Sequence, residues 1–181
     1  MPLAKSWAEE LVAEYLILRG YLVITDVGVG SGRGGGRVDV DVVAIDPSEK
    51  EIRIVDVKCI WIGKPKKISQ EAYERLRRAE SILKKRYGDG YRYVKELILI
   101  SYKRPKVGKI AQMLKGRDIE VKSILDLIHE TVKYIDEWRE EQRRIGLVKQ
   151  NTSPTLPDQL YIVKLLEFLR DTKIIKIQDN L

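Results

Sequence analysis

The period of the apolar side chains along the 181 residues changes several times, and each change marks an element. Residues 4–19 repeat as a helix does. Trp7, Ala8, Leu11, Val12, Tyr15, Leu16 and Leu18 fall within an arc of roughly 180° at about 100° per residue, with Ser6 as a candidate cap and Gly20 beyond the last turn. Glu9 and Glu14 border that arc, while Glu10 points away from it, toward solvent. Residues 21–25 read as a short strand and 26–36 as a glycine-rich loop. Two β-branched runs, 38–45 and 52–60, flank Asp46-Pro47-Ser48-Glu49-Lys50, the composition of a hairpin with a longer loop.

Helical spacing returns from about residue 69 to 87. A continuous apolar run, 96–102 with no acid on its body, predicts a central strand buried on both faces. A helix over about 107–115 ends at Gly116, a short strand covers 118–122, and a long helix covers 124–144. Residues 146–156 form a linker with Pro154, followed by a helix over about 157–170 that is apolar on more than half its surface, and 173–177 suits an edge strand. Such a helix needs a covering surface, supplied by the domain or by a second subunit in a homodimer.

The order helix, three strands, helix, strand, helix, strand, helix predicts an α/β fold with a mixed central sheet flanked by helices. The chain divides into a domain over residues 1–125 and a C-terminal helical extension over 126–181 that serves packing or dimerisation.

Charge sharpens this picture. The net charge is +7, but the excess is local: residues 61–90 carry 9 basic and 4 acidic side chains, and residues 91–122 carry 9 and 3. Residues 1–50 carry 5 basic and 8 acidic ones. An acidic first segment beside a basic middle suits a cation site next to a groove for a polyanion.

Cys59 and His129 are the only residues of their kinds, which excludes internal disulfides, cysteine zinc clusters, two-histidine metal sites and histidine-based triads. No apolar run approaches the roughly 18 residues of a membrane span, so a cytoplasmic protein with no membrane partner is expected. Abundant Lys, Arg and Glu hint at a thermophile. Gly30-x-Gly32-x-x-Gly35 precedes a strand where a dinucleotide fingerprint needs a helix, so no nucleotide cofactor is expected.

The candidate chemistry sits on the hairpin. By strand alternation Asp39 and Asp41 share one face of the first strand, and Asp56 and Lys58 one face of the second. Carboxylates converging from neighbouring apolar strands are held together by a divalent cation that takes oxygen ligands.

Asp41, a hairpin, then Asp56-Val57-Lys58 resembles the motif of the PD-(D/E)XK nuclease superfamily, which includes archaeal Holliday-junction resolvases and many restriction endonucleases. Val40 replaces the family's proline and Asp56 its commoner glutamate. The resemblance covers about residues 5–125 and implies an αβββαβ restriction-endonuclease-like core. It implies hydrolysis of DNA phosphodiesters with Mg²⁺ or Mn²⁺, in DNA repair or recombination. On this reading Asp41, Asp56 and Glu9 are metal ligands and, with Lys58, catalytic residues. Lys58 orients the attacking water or stabilises the pentacovalent state, and Asp39 is the alternative to Asp41. Arg33, Arg37, Lys64, Lys66, Lys67, Arg75 and Arg78 become candidate contacts to the DNA backbone.

Glu120-Val121-Lys122 repeats the acid-x-Lys spacing, but no acid-bearing strand precedes it and Ser123 with Asp126 makes it the start of a capped helix. Two other functions stand against the nuclease: a catalytically silent scaffold that binds DNA or a protein, and an RNA-cleaving endonuclease, which needs a histidine in the site.

Overall fold

The computed structural model describes residues 6–31, 37–61, 63–101, 104–147 and 154–174. Helix α1 (Trp7–Leu18) is capped by Ser6, whose hydroxyl accepts the Glu9 N–H at 3.3 Å. Strands β1 (Leu22–Ser31), β2 (Arg37–Asp46) and β3 (Glu51–Cys59) form an antiparallel meander. The β2–β3 turn is built by Asp46, whose Oδ1 accepts from the Ser48 and Glu49 N–H groups at 2.9 and 3.1 Å. Helix α2 (Pro65–Tyr87) crosses over to β4 (Arg92–Ile100), and α3 (Arg104–Leu114) to β5 (Glu120–Ser123); both new strands run parallel to their neighbours. The chain ends with α4 (Ile124–Arg144) and α5 (Tyr161–Asp171).

The sheet order is β1-β2-β3-β4-β5, so the fold is the mixed, helix-flanked α/β architecture expected. On one face Leu76 and Leu83 of α2 pack on Ile52 and Ile54, and Ile110 and Leu114 of α3 continue that layer over Leu97 and Leu99. On the other, Val55 and Ile98 meet Leu11 and Tyr15 of α1, Leu127 and Ile135 of α4, and Val163 and Leu166 of α5.

Several boundaries move. β1 continues through Gly28 to Ser31, because β2 supplies a ladder that glycines do not forbid; the register shifts between Gly28 and Ser31, where Gly30 has φ +102°. α2 opens at Pro65, which suits the first helical position, so Lys66 and Lys67 lie inside its first turn. α5 starts at Tyr161, four residues later than the periodicity indicates. The edge strand expected over 173–177 falls mostly outside the described residues.

The expectation for α1 needs the largest correction. Glu10, expected in solvent, is buried, and Glu14 is completely so. A single wheel identifies the face turned to the sheet, but α1 is also covered by α4 and α5. Glu14 accepts the Ile162 and Val163 N–H groups at 3.1 and 2.8 Å, which satisfies the open first turn of α5. Burial pushes the Glu14 carboxyl above its ordinary range against those bonds, and the Glu10 charge pushes the same way. The two C-terminal helices thus share a core with α1, and the boundary expected after residue 125 falls inside α4. Their cover is partial: Leu160, Val163 and Leu166 are buried, while Tyr161, Leu165 and Phe168 remain exposed in one row. Among the described residues no helix is long and apolar enough to cross a membrane.

Candidate active site

The β2–β3 ladder runs from the Asp46–Glu51 pair to the Val42–Val55 pair and stops. The next residues on the two strands are Asp41 and Asp56. Here a side chain replaces the ladder: Asp41 Oδ2 accepts the Val57 N–H at 2.6 Å. Alternation turns Asp56 and Lys58 to the α2 face, where Ile52 and Ile54 already pack.

Asp56 has no exposed surface. Its Oδ1 accepts from Arg75 at 2.9 Å. Its Oδ2 lies 3.7 Å from Lys58 Nζ, too far for a hydrogen bond, and has no donor. The Asp41 carboxyl is within hydrogen-bonding reach of Asp56.

The electrostatics follow from this placement. Burial pushes Asp41 up to about 7, and the Asp56 and Glu9 charges add to the rise against the Val57 N–H and Arg75. Burial also pushes Asp56 up, opposed by Lys58 and Arg75. A buried carboxylate pair with an oxygen lacking a donor is stabilised in one of two ways: the pair shares a proton, or it holds a cation. Hard oxygen donors on two strands, one of them orphaned, fit a divalent ion such as Mg²⁺ or Mn²⁺, with Asp41 and Asp56 as its ligands. Among the described residues no three His, Cys, Asp or Glu side chains converge on one point. Glu9 is half-buried on α1, and its charge acts on Asp41.

Of the other sequence candidates, Asp39 lies opposite Gly28 on β1, beyond the last β2–β3 pair. It is Asp41 that pairs with Asp56. Arg33 falls outside the described residues, and Arg37 opens β2. Lys64, Lys66 and Lys67 are exposed around the start of α2, and Arg78 is exposed one turn beyond Arg75. Arg75, expected to face DNA, instead spends a guanidinium nitrogen on Asp56. Helical spacing marked Arg75 as basic but gave no sign of which strand lies beneath it, 19 positions earlier.

The second acid-x-Lys sequence has a different setting. Glu120 is exposed on β5, and Lys122 donates to Glu130 at 2.8 Å. Contrary to expectation, the neighbouring strand does carry an acid: Glu96, buried in the middle of β4 and opposite Glu120 in register. Burial pushes Glu96 up against the charges of Arg53 and Lys122. Arg53 bonds it from β3, on the face opposite Asp56.

No family model matches the chain, and no curated protein does. Among solved structures, the crystal structure of AF1548, a protein of unknown function, aligns with 92% of this chain and 96% of its own at 14% identity and a TM-score of 0.47.

Proposed function

We propose that this chain hydrolyses DNA phosphodiester bonds with a divalent cation held by Asp41 and Asp56. The observation that carries the reading is the buried carboxylate pair at the end of the β2–β3 ladder, with Asp56 Oδ2 lacking a donor and Lys58 beside it. The resemblance of Asp41 and Asp56-Val57-Lys58 to the PD-(D/E)XK motif points the same way. When bound, Mg²⁺ or Mn²⁺ supplies positive charge to the phosphodiester oxygens and acidifies water.

The chain's own residues do the rest. Asp41 and Asp56 provide the anionic seat, and Asp41 gives up its proton when that seat fills. Lys58 holds an ammonium next to Asp56, where it stabilises charge gained by the phosphate in the transition state. Around the start of α2, Lys64, Lys66 and Lys67 are joined by no acid in the first turn, so helix dipole and lysines present one sign of charge to a DNA backbone. The exposed row of Tyr161, Leu165 and Phe168 on α5 supports a homodimer that offers two such sites to two strands.

Cleavage of a panel of linear and branched DNAs in Mg²⁺, Mn²⁺ or EDTA tests the reading. Wild type should cut only with metal, and Asp56→Ala and Lys58→Ala should be inactive. Cutting that survives EDTA or Asp56→Ala contradicts it. One observation favours the silent scaffold: Arg75 already neutralises Asp56. If Arg75 is a permanent counter-ion, Arg75→Gln yields an unstable protein that binds no Mn²⁺. If it is a competitor of the cation, the same variant binds Mn²⁺ more tightly.

A further inference from the structure

A cavity of about 580 Å³ opens at the C-terminal ends of the parallel strands β3 and β4 and between α1 and α4, on the face of the sheet opposite Asp56 and Lys58. Trp7, Glu9, Val57, Cys59, Trp61 and Leu125 are among the residues lining it. Two of these residues link it to the candidate active site across the end of β3: Val57, whose N–H holds Asp41, and Glu9, whose charge acts on Asp41. Open α/β sheets bind ligands at the carboxyl ends of their strands.

The rim of this cavity is unusual for the surface of a basic protein. Trp7 and Trp61 are 53% and 54% exposed, and Leu125 is 41% exposed. Trp138, the third tryptophan, is half-buried on α4 among the core residues. Exposed aromatic side chains beside a cluster of lysines are the device by which proteins stack bases of single strands. Trp61 is followed within six residues by the exposed Lys64, Lys66 and Lys67. A ligand that joins a flat apolar ring to a run of phosphates matches that arrangement, and a nucleic-acid strand is such a ligand. A base within a duplex has both faces covered by its neighbours, so only an unpaired base can use the tryptophans.

We infer that the cavity bounded by Trp7 and Trp61 receives an unpaired nucleobase, so that the substrate class is DNA with single-stranded or splayed character next to the scissile phosphate. The inference rests on the nuclease reading for the scissile phosphate, but the binding of a base does not require cleavage.

The test measures binding in EDTA, where no cut occurs, using a fluorescein-labelled forked DNA with unpaired arms and a fully paired duplex of the same length. Wild type should prefer the fork, with its tryptophan fluorescence quenched on binding. Trp7→Ala and Trp61→Ala should each lower affinity for the fork by roughly 5- to 100-fold, the scale of one lost stacked base. The fork-to-duplex affinity ratio should fall toward one in the double variant. Trp61→Phe should restore much of the loss, and Trp138→Phe should change nothing. Cys59, the only cysteine, supplies a footprint: the fork should slow its alkylation by N-ethylmaleimide and the duplex should not.

Unchanged fork affinity in the double variant, or alkylation of Cys59 unaffected by the fork, overturns the inference. Preference for an RNA of the same sequence over the DNA fork overturns the assignment to DNA. Tryptophan-dependent fork binding without cleavage in Mg²⁺ would sink the nuclease reading and leave the base site standing. Cleavage in Mg²⁺ that is indifferent to both tryptophans and to unpaired arms would do the reverse.

Discussion

Strand β3 carries two acid-x-base sequences, Glu51-Ile52-Arg53 and Asp56-Val57-Lys58, on opposite faces of the same sheet. Both acids are buried, yet their surroundings differ. Glu51 accepts from the Tyr21 hydroxyl at 2.7 Å, from Arg53 at 2.6 Å and from Arg92, and Arg53 also bonds Glu96. Burial lifts Glu51, but Tyr21 and the two arginines outweigh it and leave the carboxyl below its ordinary range. Asp56 keeps an oxygen without a donor, and its neighbour Asp41 is pushed up to about 7. The saturated cluster stabilises the ionised form of Glu51. An unsaturated one stores a demand for charge, and that demand distinguishes a candidate site from a structural ion network with similar residues.

The two clusters should therefore fail in opposite ways. The largest effect is expected from Asp56→Ala, which should lower cleavage by at least about 10²–10³-fold, the scale of losing one charge partner of a transition state. DNA binding should hold or improve, because a negative charge leaves the groove. Cleavage rates and anisotropy measured on the same variant separate the two effects. In the other cluster, Arg53→Ala strands Glu51 and Glu96, and chemical denaturation should show a loss of about 3–5 kcal/mol, the usual result of breaking a buried pair from one side. A variant that unfolds no more easily than wild type would place the two clusters in the same class.

Protonation gives a third contrast. The Asp41 carboxyl titrates near 7 in the folded protein and near 3.8 when unfolded, so the folded state binds the extra proton between those values. In EDTA, the stability contributed by that proton should be complete below about pH 4, decline as pH rises through 7, and level off above, a change of no more than about 4 kcal/mol. Urea denaturation at pH 5 and pH 8 should show a steeper slope in wild type than in Asp41→Asn, where only the raised Asp56, Glu14 and Glu96 carboxyls still contribute, and Asp41→Asn should be the more stable protein at pH 8. A slope in Asp41→Asn equal to that of wild type assigns the proton elsewhere.

The smallest effects belong to the surface. Neutralising Lys64, Lys66 and Lys67 together should flatten the dependence of log affinity on log salt by up to about 3 for duplex DNA. Glu120→Ala should leave activity unchanged, since Glu120 is exposed at the sheet edge. Loss of cleavage in that variant would place the site on β5 and contradict its assignment to β2 and β3.

The hairpin was readable in sequence because its information is local: period-two alternation fixes which residues share a face, and Asp46 builds the turn from its own neighbours. The capped start of α4 was legible for the same reason, with Ser123 and Asp126 satisfying each other across three positions. What escaped depends on chain that returns from far away. Glu10 looked exposed on a wheel, yet α1 is covered on its outer side by helices more than a hundred residues later, and Glu14 serves backbone groups 148 and 149 positions on. Glu96 opens the run over 96–102, whose body is apolar. Its burial is made tolerable by Arg53, a partner that only the β3–β4 pairing reveals. Arg75 read as one member of a basic stripe, and its pairing with Asp56 follows from how α2 lies across β3.

The central claim is that Asp41 and Asp56 form a seat for a cation that a proton otherwise occupies. Titrating the protein with Mn²⁺ at pH 6, 7 and 8, and following proton release in buffers of different ionisation enthalpy, tests it most directly. The account predicts an affinity that rises about tenfold per pH unit below 7 and levels off above it, with about one proton released per ion at the acid end. The site should vanish in Asp56→Ala and persist in Glu120→Ala. Binding that is independent of pH, or that survives Asp56→Ala, would contradict the account.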